Sequence, residues 1–242
     1  TLGFADGGVY GSIEVGSPGS TLIDGGAFSI DGNFLMQINT TLKTQSVKAI
    51  NIVDGTIDAN TPFKNINLQA GYLHISGAVA LNLSAVSLKG SMDMTLTTSG
   101  FDADVDLSMK LGGLGSIDVE GQASIGMEGN NPFFAMKVDV DAHLGIDVIS
   151  INAGGLLEIN TGKQSHAGVE AGKLFNLELD GNISILAFNG ISFKGAITIE
   201  DSVFEVKIDE AKLNFFNFVT FEMDGYIRSD GKFKIHGLVE RK

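Results

Sequence analysis

Hydrophobic and polar residues alternate with a period of two over long stretches of this chain, most clearly over residues 101–127. The first apolar series there is Phe101, Ala103, Val105, Leu107, Met109 and Leu111, and the second is Ile117, Val119, Ala123, Ile125 and Met127. Successive side chains of a strand point to opposite faces of a sheet. The pattern therefore predicts two long strands, each buried on one face, joined by a tight turn at the glycine-rich residues 112–115.

Similar runs cover residues 28–38, 86–96, 134–148 and 191–239. The run at 134–148 predicts either one very long strand or a hairpin with its turn near 143–145. Asp-Gly pairs favour type I′ hairpin turns, because both residues tolerate positive φ. On this basis turns are expected at Asp6, Asp24, Asp31, Asp54, Asp180, Asp224 and Asp230. Residues 47–68 have an irregular phase, which we interpret as bulges, and no window has helical spacing with caps.

Four segments of the chain are echoed later in the sequence. The phrase at residues 35–40, LMQINT, returns as LLEINT at 156–161. Segments starting at Gly71, Phe101 and Ile117 return about a hundred residues later at Gly172, Phe204 and Val219. These echoes indicate a degenerate repeat of roughly 100 to 120 residues.

We therefore predict an all-β fold with long, mostly antiparallel strands in a meander, stacked as in a solenoid or flattened into a sandwich. The expected domain is a single elongated body of residues 1–242, with repeat units at about 26–140 and 141–242. Because the chain begins with Thr1 and lacks the charged start and apolar stretch of a signal peptide, we expect a mature or excised segment of a longer protein.

Composition narrows the classes of partner. The net charge of −13 disfavours nucleic acid and anionic membrane surfaces. No cysteine is present, so no disulfide or thiolate metal site can form. The strands of outer-membrane proteins share the alternating pattern, but their aromatic girdles are not expected from three Tyr and no Trp. No run of 18 apolar residues suggests a membrane helix, and we do not expect an integral membrane protein.

The acidic face of the first long strand is the candidate metal site. Asp102, Asp104 and Asp106, together with Asp139 and Asp141, would offer oxygen ligands to calcium if their two strands pair. Alternate strand residues, however, lie about 6.5–7 Å apart and point in parallel, whereas calcium needs six to eight converging oxygens. We therefore favour a solvated acidic face, with no cofactor.

Catalytic motifs are not evident, and we expect no enzymatic activity. The four histidines stand in unrelated contexts, and no nucleophile elbow, metal-binding helix motif or phosphate loop occurs. Paired carboxylates keep a polysaccharide-active protein as a minor alternative. The 16 phenylalanines lie mostly in the apolar phase of strands. They predict a core, or alternatively a groove for lipid or another hydrophobe.

The glycine-containing phrase at residues 32–40 and 155–161 resembles the β-rich repeat regions of very large exported or surface proteins of environmental bacteria. This resemblance implies a structural or adhesive repeat module of an extracellular or cell-surface protein. Such a module would act through self-association or through contacts with adjacent modules.

Overall fold

The computed structural model describes residues 2–53, 56–57, 60–83, 86–97, 100–185, 188–200, 203–215 and 219–241. Nearly all of these residues lie in strands, and the helical part is a single 3-10 turn at Gly112–Leu114. The all-β prediction is therefore confirmed. The strands are β1 Leu2–Ala5, β2 Gly8–Asp24, β3 Ser29–Asn39, β4 Gln45–Ile50, β5 Ile52–Val53, β6 Thr56–Ile57, β7 Phe63–Leu68, β8 Tyr72–Leu83, β9 Val86–Leu96, β10 Gly100–Lys110, β11 Gly115–Glu128, β12 Asn131–Ile146, β13 Ile149–Asn160, β14 Asn176–Ile185, β15 Phe188–Glu200, β16 Val203–Phe215, β17 Val219–Arg228 and β18 Phe233–Arg241.

Fourteen strands form one antiparallel meander, in the order β1-β2-β3-β8-β9-β10-β11-β12-β13-β14-β15-β16-β17-β18. The outermost strands, β1 and β18, do not pair with each other, so the sheet is open. The remaining strands form two small sheets, β4 with β7 and β5 with β6, within the excursion that joins β3 to β8. Within the described ranges, no helix has the length and apolar character needed to span a membrane.

One face of the long sheet forms the core. In β10 the side chains of Ala103, Val105, Leu107 and Met109 are at most 3% exposed, while the aspartates between them are exposed. The predicted faces of this strand are therefore confirmed. Met127 is an exception: it was predicted in the buried phase but is exposed, because it lies close to the β11–β12 turn at the rim of the sheet.

The sheet curls back on itself around this core. Phe28, just before β3, lies 6.0 Å from Phe134 of β12, measured between ring centroids. These two strands are five positions apart in the sheet, so their contact requires the intervening strands to bend round. Phe34, Phe134 and Phe193 are among the largest fully buried side chains, and they lie in the core rather than in an open groove.

Glycine marks alternate strands along one line across the sheet, which we call the glycine row. Reading across paired positions, the row alternates glycine with a large apolar residue, except that β11 contributes Val119. Its members are Gly32, Val79, Gly90, Leu107, Val119, Val140, Gly155, Leu179, Gly195, Ile208, Gly225 and Ile235. A Cβ added at Gly90 would lie 2.0 Å from the carbonyl oxygen of Asp106 on the next strand. Glycine is therefore needed where the backbones approach closely.

Close contacts between neighbouring strands explain why several turn predictions are wrong. Asp6-Gly7 and Asp230-Gly231 do form turns, with φ of 48° and 76° in the first pair. Asp24 ends β2 as expected, but the pairs that begin at Asp31, Asp180 and Asp224 lie inside β3, β14 and β17. Tertiary packing uses these glycines for close strand contacts and overrides their local turn preference. The pair at Asp54 falls outside the described residues.

Two further local predictions are decided by the strand bounds. β12 is one strand of 16 residues, which confirms the first alternative for the run at 134–148. The interpretation of residues 47–68 as bulged is wrong, because β4 and β7 pair without a register shift. This hairpin lies outside the long sheet, and its buried apolar side chains are Val47, Ala49 and Leu68.

The echoed phrases end β3 and β13 in the same way. The Asn39 Nδ2 donates to the carbonyls of Lys43, Leu68 and Gln69 at 2.8–2.9 Å. The Asn160 Nδ2 donates to the carbonyls of Gln164, Val169 and Glu170 at 2.8–3.1 Å. We call these two arrangements the asparagine clamps. Each clamp closes a loop, and the loops differ in length because the first contains the β4–β7 excursion.

All the echoes share one displacement in the sheet. β3 and β13 are the third and ninth strands in the sheet order, β10 and β16 the sixth and twelfth, and β11 and β17 the seventh and thirteenth. Each echoing pair is therefore separated by six strands.

Candidate interaction surfaces

The five candidate calcium ligands lie on the outer face of the sheet, and all are exposed. Asp102, Asp104 and Asp106 are in β10, and Asp139 and Asp141 are in β12. The two strands do not pair, because β11 lies between them. Among the described residues, no group of three or more His, Asp or Glu side chains has the geometry to hold a metal ion.

Part of this acidic face forms a shallow concavity of about 560 Å³. Its carboxylates come from four neighbouring positions on the sheet, Asp93, Asp104, Asp106 and Glu120. The Nε2 of Gln122 donates to Asp104 Oδ1 at 3.3 Å across the concavity. The surface is open to water and negatively charged, so it repels anions and keeps the outer face of the sheet hydrated.

A histidine and a glutamate hold the loop that follows β13. The His166 Nε2 lies 2.7 Å from Glu128 Oε1, and the ring of His166 stacks on Phe133 with centroids 3.6 Å apart. The backbone N–H groups of Lys163 and Gln164 donate to the same carboxylate at 2.8 and 2.9 Å. The N–H of Lys163 is the main cause that lowers the pKa of Glu128 below its usual value. Both carboxylate oxygens are engaged in fixing the loop, which suits a structural anchor rather than a catalytic base.

A second anchor of this loop is the carboxylate of Glu158. Its oxygens lie 2.5 Å from Lys173 Nζ and 3.0 Å from Lys137 Nζ, and it accepts a hydrogen bond from Asn176 Nδ2 at 3.1 Å. The hydrogen bonds from Lys173 and then Lys137 lower the pKa of Glu158 to about 2. The carboxylate is thus ionised throughout the neutral range and ties β12, β13 and the following loop together.

The C-terminal edge of the sheet exposes apolar side chains. Among the described strands, β18 pairs with β17 alone. Phe233 and Ile235 pair with Ile227 and Gly225, so they point to the core face, yet Phe233 is 51% exposed. Val239 on the same face is 55% exposed. The core face therefore continues to the edge of the sheet, where no described residue covers Phe233 and Val239 fully.

The N-terminal edge has the same property on a smaller scale. Within the part of the chain that the structure describes, β1 pairs with β2 alone, and Phe4 is 80% exposed on the side that continues the core face. Leu2 beside it is also exposed. These edge residues were not singled out from the sequence, because their alternation is the same as that of buried strands.

Comparison with protein-family models, with curated proteins and with solved structures gave no match.

Proposed function

We propose that this chain is a structural or adhesive module of an extracellular or cell-surface assembly, and that it acts through contacts with copies of itself or with adjacent modules. The observation that carries the proposal is the exposure of core-facing apolar residues at both edges of an open sheet, with Phe4 at one edge and Phe233 and Val239 at the other. An unpaired strand edge of this kind is a template for pairing with another strand.

Two further features support an assembly role. The six-strand displacement between echoing segments is what a degenerate repeat produces, and repeats of this kind stack their neighbours to bury a continuous core. The outer face carries exposed aspartates along β10 and β12, which keeps that face hydrated and directs association to the sheet edges.

The proposal predicts self-association that depends on the edge strands. Analytical ultracentrifugation of the purified chain should show multimers that grow with concentration, and negative-stain microscopy should show regular particles or fibres. Phe233→Lys should shift the distribution towards monomer. Leu174→Lys is the matched control, because Leu174 is 45% exposed in the loop between β13 and β14, which are inner strands of the sheet, and this change should leave the distribution unaltered.

Solvent extraction followed by mass spectrometry separates this proposal from a lipid- or hydrophobe-binding groove. An assembly module should yield no stoichiometric lipid. A chain that stays monomeric and co-purifies with one or a few lipids per molecule would overturn the proposal, because the exposed apolar face would then serve a ligand instead of a neighbour.

A further inference from the structure

β18 lies six strands after β12 in the sheet order, the same separation as that of the echoing pairs of strands. The two strands are the eighth and fourteenth in the sheet order, and their inner neighbours, β11 and β17, are one of the echoing pairs. The difference lies on the outer side. β12 is covered there by β13 over twelve paired positions, whereas β18 has no outer neighbour among the described strands.

We propose that β18 accepts a strand with the sequence pattern of β13, supplied by a neighbouring module of the same design. This inference rests on the proposed function and specifies its contact: the sheet continues from β18 into the first strand of a further six-strand unit. The mode is β-strand addition, in which backbone hydrogen bonds provide affinity and alternate side chains provide register.

The glycine row fixes the register of the incoming strand. Val140 of β12 and Ile235 of β18 both belong to the row, and β13 places Gly155 opposite Val140. The same register on β18 places a glycine opposite Ile235. The row would then continue its alternation of glycine and large residues across the new pair.

This register also covers the exposed core face of β18. In the β12–β13 pair, Leu157 lies opposite Val138 and Ile151 lies opposite Leu144. Transferred to β18, the equivalents of Leu157 and Ile151 fall opposite Phe233 and Val239. Both exposed side chains would thus gain an apolar neighbour directly across the strands, which is the unit of sheet stabilisation.

The charges agree with the same register. Lys137 lies three residues before Val140 and forms an ion pair with Glu158 of β13 at 3.0 Å. Lys232 lies three residues before Ile235; its side chain is 71% exposed, and its Nζ lies 3.3 Å from Asp230 of the preceding turn. A β13-type strand would therefore bring its glutamate opposite Lys232. A single register satisfies the glycine row, the apolar face and the charge.

The test uses the full chain and a labelled peptide with the sequence of residues 149–160, carrying a polar tail for solubility. Fluorescence anisotropy should show saturable binding, and hydrogen exchange should slow at the amides of Phe233–Arg241. A peptide with Ile151→Lys, on the apolar face, should lose binding. A peptide with Asn152→Lys, on the opposite face, should retain it, because only the first change places a charge on the covered side.

A charge swap tests the register itself. Lys232→Glu in the chain should weaken binding of the unaltered peptide by about three- to ten-fold, the range expected for a cross-strand charge reversal. The peptide with Glu158→Lys should restore it. Lys64→Glu is the control, because Lys64 is exposed on β7, away from the long sheet. Absence of saturable binding, slowed exchange elsewhere, or failure of the rescue would each overturn the docking.

The other possible occupants of this edge give different results. If a second copy or lipid covers it, exchange at Phe233–Arg241 should slow with chain concentration or with phosphatidylcholine vesicles, and the peptide should not compete. Either result would overturn the docking. Self-association of the chain without binding of the peptide would also overturn the docking of a β13-type strand, but it would leave the proposed function intact. Peptide binding by a monomeric chain would support the docking and count against self-assembly.

Discussion

The side chains of Asn39 and Asn160 form equivalent hydrogen bonds at positions six strands apart in one sheet. Both residues are fully buried, and both Nδ2 groups donate to three backbone carbonyls. Both Oδ1 atoms accept the backbone N–H two residues further on. Each amide thus holds three backbone carbonyls of a loop that closes against the sheet.

Asn160→Ala should destabilise the fold by about 2–5 kcal/mol, because a buried amide would lose its hydrogen bonds to three carbonyls. Chemical denaturation would measure the free energy of unfolding. Asn152→Ala is the matched control: Asn152 is exposed on the same strand and its Oδ1 lies 3.1 Å from His143 Nδ1, so the change should cost about 0.5 kcal/mol or less. Equal losses of unfolding free energy in the two variants would show that the hydrogen bonds of Asn160 do not stabilise the fold.

The two echoed phrases contain Asn39 and Asn160, but the sequence does not predict the hydrogen bonds that these residues form. The echo of LMQINT in LLEINT is a local pattern that can be read directly. The carbonyls of Leu68 and Val169, which the two amides bind, come 29 and 9 residues later. Only the folded course of each loop brings them to the asparagine, so a search for spacing within one segment misses the relationship.

The adjacent glycines of β13 should respond differently to the same substitution. A Cβ at Gly155 would lie 2.3 Å from the carbonyl oxygen of Glu178, whereas a Cβ at Gly154 would lie 3.9 Å from that of Val140. Gly155→Ala should therefore cost about 2–4 kcal/mol through forced backbone movement. Gly154→Ala should lie within about 0.5 kcal/mol of the unaltered chain. Urea midpoints test both, and a neutral Gly155→Ala would refute the close approach in the glycine row.

The sequence predicts on which face of the sheet each side chain lies. It does not predict whether another part of the protein covers that face. The alternation that buries Val105 also occurs at Phe233 and Val239, which are exposed. A period of two assigns each residue to a face, but burial depends on whether another layer covers that face. The strand order that decides coverage comes from long-range pairing, and local alternation contains no information about it.

The face assignment in β10 can be tested with neighbouring residues. Val105 is 3% exposed, and Asp104 is exposed on the opposite side. Val105→Asp should destabilise the fold by about 3–5 kcal/mol, because a buried carboxylate there has no partner. Asp104→Asn should change stability by about 0.5 kcal/mol or less. Similar urea midpoints for the two variants would contradict the assignment.

Acid should remove the contribution of Glu158 to stability. Lys173 and Lys137 lower its pKa in the folded chain from 4.5 to about 2. A lowered folded-state pKa gives stability that is complete above the unfolded value and is lost as pH falls towards the folded value. The difference in unfolding free energy between the unaltered chain and Glu158→Gln should therefore shrink between about pH 5 and pH 2. Lys173→Met should make this loss smaller and complete at a higher pH, because the folded-state pKa of Glu158 then lies closer to its unfolded value. A difference that does not change with pH would contradict the prediction.

Chelation should leave the stability of the chain unchanged. The five candidate aspartates lie on two strands separated by β11, so their oxygens do not converge on one point as calcium requires. Thermal unfolding with EDTA and with added calcium should give the same midpoint within error.

A specifically bound ion would behave differently, since calcium at 100 times its dissociation constant stabilises the folded state by about 2.7 kcal/mol. The double variant Asp104→Asn/Asp106→Asn is the control, because it removes two carboxylates of the outer concavity and leaves the core face intact. A calcium-dependent rise in midpoint that saturates and disappears in this variant would establish a metal site. A rise that follows ionic strength alone, and that magnesium or sodium reproduces, would be the general screening expected for a chain of charge −13.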